Sequence, residues 1–266
     1  MKTKLAFFAA TLSLLVAAPA VAQQPAPGQD EGLSVDVTDE SGEDLVIAVP
    51  AMPTPQSAET PAGPTDALGR QVAEVVAGDL RGSGLFRPSG PSGVRAIGYP
   101  EVTAPAFDHW SGAGAAALVQ GFVRAEADGR ITVGCYLYDV ALKSELVRKG
   151  FAVAPRDWRR AAHKCADAIY ARLSGESPFF DSRIAYIAES GPKDRRVKRL
   201  AIMDWDGANH RFLTNGQSTV LSPRFSPDYK QIVYMSYVDR RPRIYIYDIG
   251  MGRQRLVRVR RLLRNG

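Results

Sequence analysis

Histidine and cysteine are scarce here: three and two, respectively, among 266 residues. His109, His163 and His210 show no metal-ligand spacing with one another or with nearby acids, which removes the short zinc motifs. No Gly-x-Ser-x-Gly elbow is present, so a serine hydrolase of that type is excluded within this chain. No glycine-rich phosphate loop follows a strand pattern, which argues against a nucleotide site. Beyond the amino terminus no long apolar run occurs, so the remainder offers no membrane span. From Gly175 onward there is no helical periodicity until the last residues. These absences point away from an enzyme and away from a cofactor.

The amino terminus has the make-up of a secretory signal. Lys2 and Lys4 precede an uncharged apolar run, Leu5–Ala18, and Ala20-Val21-Ala22 supplies a small-x-small site, so cleavage is expected after Ala22. The apolar run is short for a membrane anchor. The expected product is exported. Export permits a disulfide between Cys135 and Cys165, but a bridge requires a helix carrying one to pack over a strand carrying the other, and two buried thiols fit the pattern equally well.

The formal charge of +6 does not signal nucleic acid. Arg253, Arg255, Arg258, Arg260, Arg261 and Arg264 crowd the last sixteen residues, and without them and the two signal lysines the balance is −2. Such a basic end can bind phosphate or anionic lipid, but is more often simply solvated.

What is present is ordered segment by segment. Residues 23–32 are polar, with Pro and Gly, and read as a flexible arm. Leu33–Val37 alternates as a strand does; it suits a core position, and equally an extended segment captured on a partner's sheet edge. Leu45–Val49 is a second, more buried strand. Thr65–Leu80 is an amphipathic helix with Thr65 as N-cap and Leu68, Val72, Val75, Val76 and Leu80 on one face. Ala115–Ala125, an Asp128-Gly129 turn and Ile131–Asp139 form a hairpin, and Glu145–Val153 adds a third strand. Pro155 opens a second helix that runs to Leu173 and buries Trp158, Ala162, Cys165, Ile169 and Leu173; His163 falls off that stripe and is expected at the surface or in a hydrogen bond.

After Gly175–Asp181 the chain becomes repetitive. Ile184-Ala185-Tyr186 returns as Ile232-Val233-Tyr234, 48 positions on, and Asp204-Trp205-Asp206-Gly207 returns as Asp248-Ile249-Gly250, 44 positions on. Periods in the forties with several short strands each mark propeller blades; an ordinary sheet of two similar hairpins is the plainer alternative. Ser222–Ser236 holds a Ser-Pro-Asp turn between strands, with Pro227 and Asp228 as turn residues. Asp204 and Asp206 are read as turn formers rather than a catalytic pair, and Tyr234, Tyr237, Tyr245 and Tyr247 as strand filler rather than a ligand platform.

Taken together these residues resemble the TolB family of the Tol–Pal cell-envelope system. The matching stretches are Asp157–Lys164 with Ala166–Tyr170, Gly175-Glu176, Phe180-Asp181-x-Arg183-Ile184-Ala185-Tyr186, Asp204-x-Asp206-Gly207 and Leu221–Asp228. The resemblance implies an α/β N-terminal domain followed by an all-β propeller, here incomplete, with about two blades of the family's six. Its expected layout is a signal peptide over 1–22, an arm over 23–32, the α/β domain over 33–174, a junction over 175–182, two blades over 183–257 and an Arg-rich tail over 258–266. It implies a periplasmic adaptor that is not an enzyme, has no cofactor and does not span the membrane. That adaptor would join inner-membrane TolA to the outer-membrane lipoprotein Pal for envelope integrity and constriction at division. TolA contact passes to Leu33, Val35, Asp36 and Val37. Two departures stand out. Tyr229 replaces a glycine usual in the repeat, so the turn must change or bear a positive φ. After Val257 the Ser-Pro-Asp repeats give way to RVRRLLRNG, which reads as a truncation or frameshift, so no Pal-contact residues are assigned. The alternative is the front part of an exported propeller-bearing hydrolase whose catalytic domain lies elsewhere.

Overall fold

The computed structural model describes residues 45–258. The first half is a five-stranded sheet with two long helices on one face. Its strands are β1 (Leu45–Ala48), β2 (Phe86–Ser89), β3 (Ala117–Ala125), β4 (Ile131–Asp139) and β5 (Ser144–Val153), in the order β2-β1-β3-β4-β5. β1 runs parallel to both its neighbours; β3, β4 and β5 form an antiparallel meander through the Asp128-Gly129 turn. The short edge strand β2 escapes a periodicity reading because FRPS carries a proline and too few residues to alternate.

Helix α1 (Thr65–Gly82) puts Leu68, Val72, Val76 and Leu80 against the sheet, with each side chain 1% exposed or less. At about 1.5–3 kcal/mol per fully buried large aliphatic side chain, this stripe anchors the helix. Thr65 is not the N-cap. That place falls to Pro64, and Thr65 is the first helical residue, its hydroxyl donating to Thr54 Oγ1 and accepting from the Ala58 amide. Gly69 faces the Met52 carbonyl so closely that an added Cβ would sit 1.9 Å from that oxygen. The segment after β1 crosses the helix there because no side chain intervenes. Helix α3 (Trp158–Ser174), after a single 3₁₀ turn at Pro155–Asp157, ends at Gly175 in the left-handed region (φ 74°), as its C-cap reading requires. A short helix α2 (Phe107–Gly112) and the Ile97–Val102 segment cover the sheet's other face around Trp110, Leu118 and Tyr138.

Alternation in β4 sends Val133, Cys135 and Leu137 toward the helices. Cys165 of α3 meets Cys135 there, and the two form a disulfide across 30 residues. The packing of that helix over that strand, left open by the sequence, is what joins them.

The second half is two antiparallel sheets. One holds β6 (Arg183–Ser190), β7 (Val197–Asp204) and β8 (Arg211–Phe212); the other holds β9 (Thr219–Phe225), β10 (Gln231–Val238), β11 (Arg241–Asp248) and β12 (Arg253–Leu256), in the order β12-β11-β10-β9. The shared strands of the two sheets pair in the same register. Arg183 pairs Asp204 as Gln231 pairs Asp248, and Ala201 pairs Phe212 as Tyr245 pairs Leu256. The Trp205 amide donates to the Ser182 carbonyl, and Ile249 does the same to Lys230. Identical register at offsets of 48 and 44 residues makes these successive propeller blades, not merely similar hairpins. Leu200, Ile202, Val220, Ile232, Tyr234 and Tyr247 fill the space between them. No ring closes among the described residues, which hold two blades of the propeller.

Candidate functional site

The β7–β8 turn, DWDG, is where the first blade meets the α/β layer. It is a turn, as its Asp-Gly pair requires: Gly207 has φ 84° and its amide donates to the Asp204 carbonyl at 3.0 Å. Asp204 and Asp206 do not face each other as a catalytic pair. Asp204 accepts from Asn209 Nδ2, while Asp206 turns toward helix α3. The turn also docks. Trp205 lies over Gly82 at the end of α1, where a Cβ would come within 3.0 Å of the indole, and packs against Phe179 and Phe180 with ring centroids 5.2 and 5.4 Å away.

Polar contacts run through the same spot. The Trp205 Nε1–H donates to Asp79 Oδ1 at 2.8 Å. Asp79 Oδ2 lies 2.6 Å from His163 Nδ1. An ionised carboxylate only accepts, so Nδ1 carries the proton of that bond. On the far side of the ring, Asp206 Oδ2 is 3.8 Å from His163 Nε2, and Arg159 grips the same oxygen through its guanidinium, with Nε at 3.1 Å. Asp79 and His163 are each 1% exposed; the Asp206 backbone reaches solvent, but its side chain is only 19% exposed. Burial pushes the His163 imidazole down, yet the Asp79 hydrogen bond and the charges of Asp79 and Asp206 outweigh it and leave the group above its ordinary value. Burial likewise pushes Asp206 up, but the Arg159 hydrogen bond, the Ala208 amide and the charges of Arg159 and His163 together outweigh it and leave the carboxyl below its ordinary value. One turn further along α3, burial raises the Asp167 carboxyl although it accepts the Phe180 and Asp181 amides.

Donor atoms of Asp79, His163 and Asp206 all lie within 4.8 Å of one another. A cation is nonetheless poorly served. Both Asp79 oxygens are committed, to Trp205 and His163, and Arg159 already neutralises Asp206. The cluster is a hydrogen-bonded clamp between a domain and a blade. An open cavity of about 740 Å³ adjoins it, bounded by α3, the 178–183 segment and turns of the second blade.

Leu33, Val35, Asp36 and Val37, the residues assigned to TolA contact, lie outside the described residues, as do the cleavage point after Ala22 and Arg260, Arg261 and Arg264. Arg253, Arg255 and Arg258 are exposed. His163, expected at the surface or in a hydrogen bond, is buried and bonded to Asp79; a helical stripe marks only one buried face, and α1 with the β7–β8 turn buries a second. His109 and His210 lie against aromatic neighbours, Trp110 and Phe212, at 4.9 and 4.8 Å. The clamp itself was not visible in spacing, since Asp79, His163 and Asp206 are far apart in sequence. One signal could have found it: where the repeat has Ile249-Gly250 in the second blade, the first has Trp205-Asp206, the two residues that dock.

No described helix is long and apolar enough to cross a membrane. Comparison with known proteins gives two family matches in tandem: the TolB amino-terminal domain over residues 33–146 and the TolB beta propeller domain over residues 170–262. The chain is 62% identical over 247 residues to the Tol-Pal system protein TolB 1 of Novosphingobium aromaticivorans, covering 91% of this chain and 55% of that relative. It is 61% identical over 225 residues to the Tol-Pal system protein TolB of Zymomonas mobilis subsp. mobilis, covering 85% and 49%. The crystal structure of TolB from Acinetobacter baumannii superposes with a TM-score of 0.65 at 28% identity, over 80% of this chain and 49% of that one. The chain thus spans about half the length of the curated relatives it matches. With both domain matches in order and the same fold in a solved relative, the chain belongs to the TolB family.

Proposed function

We propose that the protein is an exported, non-enzymatic adaptor of the Tol–Pal system, working in the periplasm of the cell envelope. Its amino-terminal segment, through Leu33, Val35, Asp36 and Val37, engages TolA; its propeller engages Pal; together they couple inner and outer membranes during constriction. The observation that carries this reading is the tandem of a TolB amino-terminal domain and TolB-type blades, clamped through Trp205 and Asp79. An adaptor that links two partners needs its two binding modules mechanically joined, and a partly buried indole on a buried carboxylate supplies such a joint.

The test is capture of purified TolA C-terminal domain and of Pal by the processed full-length protein and by a form lacking Gln23–Val37. Loss of TolA with Pal retained is expected. TolA capture that survives the deletion removes the assignment to the arm, and failure of the intact protein to capture either partner removes the adaptor reading.

A further inference from the structure

The His163 side chain has one satisfied face and one unsatisfied one. Its Nδ1 meets Asp79, but its Nε2, fully buried, has no hydrogen-bond partner and points toward Asp206 Oδ2 at 3.8 Å. With Nδ1 protonated, a neutral ring presents a lone pair at Nε2. That lone pair would face a carboxylate, a repulsive arrangement in a site shielded from water. A charged ring presents an N–H in the same direction and is attracted to both carboxylates. The two carboxylates belong to different parts of the protein: Asp79 to α1 of the α/β layer, Asp206 to the first blade's turn.

We propose that His163 is a proton-operated latch, closing the first blade onto the α/β layer when its ring is charged and loosening the Trp205-Asp206 turn when it is neutral. This goes beyond an adaptor's partner binding: it gives the joint between the modules a setting. The surroundings favour the charged form. Asp79 faces the ring from α1 and Asp206 from the β7–β8 turn, opposed by Arg159 on its own helix. On the cavity side Asp167, Asp181 and Asp204 stand with Arg160 and Arg183, and the second blade's turns add Asp228, Lys230 and Asp248. Since the docked ring is held above its ordinary value, the latch's contribution is complete below the undocked value near pH ~6.5 and is lost as pH rises through the docked one. In that window docking weakens by up to about tenfold per pH unit.

Hydrogen exchange on the full chain reads this directly. The amides of Asp204, Trp205, Gly207 and Ala208 are each bonded within the turn or to Ser182 and Asp206. Their protection, corrected for intrinsic exchange, is expected to fall severalfold between about pH 6 and pH 9. In His163→Gln, which keeps a polar side chain without the charge, protection should be low and flat with pH. Asp206→Asn should shrink the pH response while Trp205 stays docked. Independently of any variant, nitrogen-detected NMR of the wild-type ring should show both nitrogens protonated at pH ~6, with the Nε2 proton lost at higher pH than from a free imidazole. A ring that loses its Nε2 proton no later than a free imidazole, a flat wild-type profile, or an unchanged pH response in His163→Gln each overturns the latch.

Discussion

Cys135 and Cys165 tie a strand to a helix inside the α/β layer, and both sheet faces there are covered; no cross-link lies within the blades among the described residues, and one blade face is open. The contrast shows in single strands. In β4, Ile131, Val133, Cys135, Leu137 and Tyr138 are all buried, drawn from both sides of the strand. In β10, Ile232 and Tyr234 are buried on the side facing the first blade, while Val233 and Tyr237 on the other side are more than a third exposed. Ile244, opposite Met235, continues that exposed apolar face into β11. A sheet needs cover on each apolar face. The α/β layer has its own, whereas each blade depends on the next. The first blade has the second on one side and is clamped to the helices by its turn. Among the described residues, the second has only the first.

The largest test of this contrast removes the staple. Replacing both cysteines by alanine, or reducing the bridge, should cost about 3–4 kcal/mol, the value for a closed loop of 30 residues. Hydrogen exchange should place that loss in β3–β5 and α3. Equal loss of protection in β9–β12 would mean that the halves unfold as one unit, and the comparison would collapse.

Next in size is Trp205→Ala. The indole is partly buried, so a cost of about 2–3 kcal/mol is expected, below the range for a fully buried tryptophan. The Asp79 carboxylate also loses a donor. The sharper readout is coupling. In the variant, thermal unfolding of the α/β layer and of the blades should separate into two transitions. A single transition with an unchanged midpoint would show that the Phe179–Phe180 segment, rather than the turn, joins them. Ile249→Ala at the matching position of the second blade removes a residue buried between the blades and should leave the α/β layer's protection untouched.

Much of the fold was legible because it is written in short-range periodicity. Helix α1 has a clean apolar stripe, β3 and β4 flank an Asp-Gly turn, and the repeat offsets carried straight into strand register. The joint was not legible for the opposite reason. Asp79 draws no reading at all, His163 reads as a residue off its stripe, and Asp206 as half of a turn. Both of those readings are locally sound, and only packing α1, α3 and the β7–β8 turn together shows that the three share a buried site. Cys135 and Cys165 were a similar case: local patterns placed one on a strand and one on a helix, but whether the two elements face each other is a tertiary fact.

Tyr229 offers the smallest and cleanest test, because its backbone and its side chain pull in opposite directions. It adopts φ 56°, a left-handed conformation that costs a non-glycine residue about 1 kcal/mol. The turn is otherwise well made: the Tyr229 amide donates to the Ser226 carbonyl, and Asp228 Oδ1 accepts from Ser226 Oγ and the Lys230 amide. The residue is 60% exposed and its ring centroid lies 5.7 Å from that of Phe225, while the Tyr229 carbonyl accepts from the Arg183 guanidinium across to the first blade. Tyr229→Gly removes the strain and the ring; Tyr229→Ala removes only the ring. Glycine should therefore be more stable than alanine by roughly 0.5–1 kcal/mol, and within about half a kcal/mol of the parent. Denaturant unfolding of the blade region resolves this ordering. If alanine equals glycine, the left-handed turn is unstrained, and the ring against Phe225 is what holds the second blade's turn.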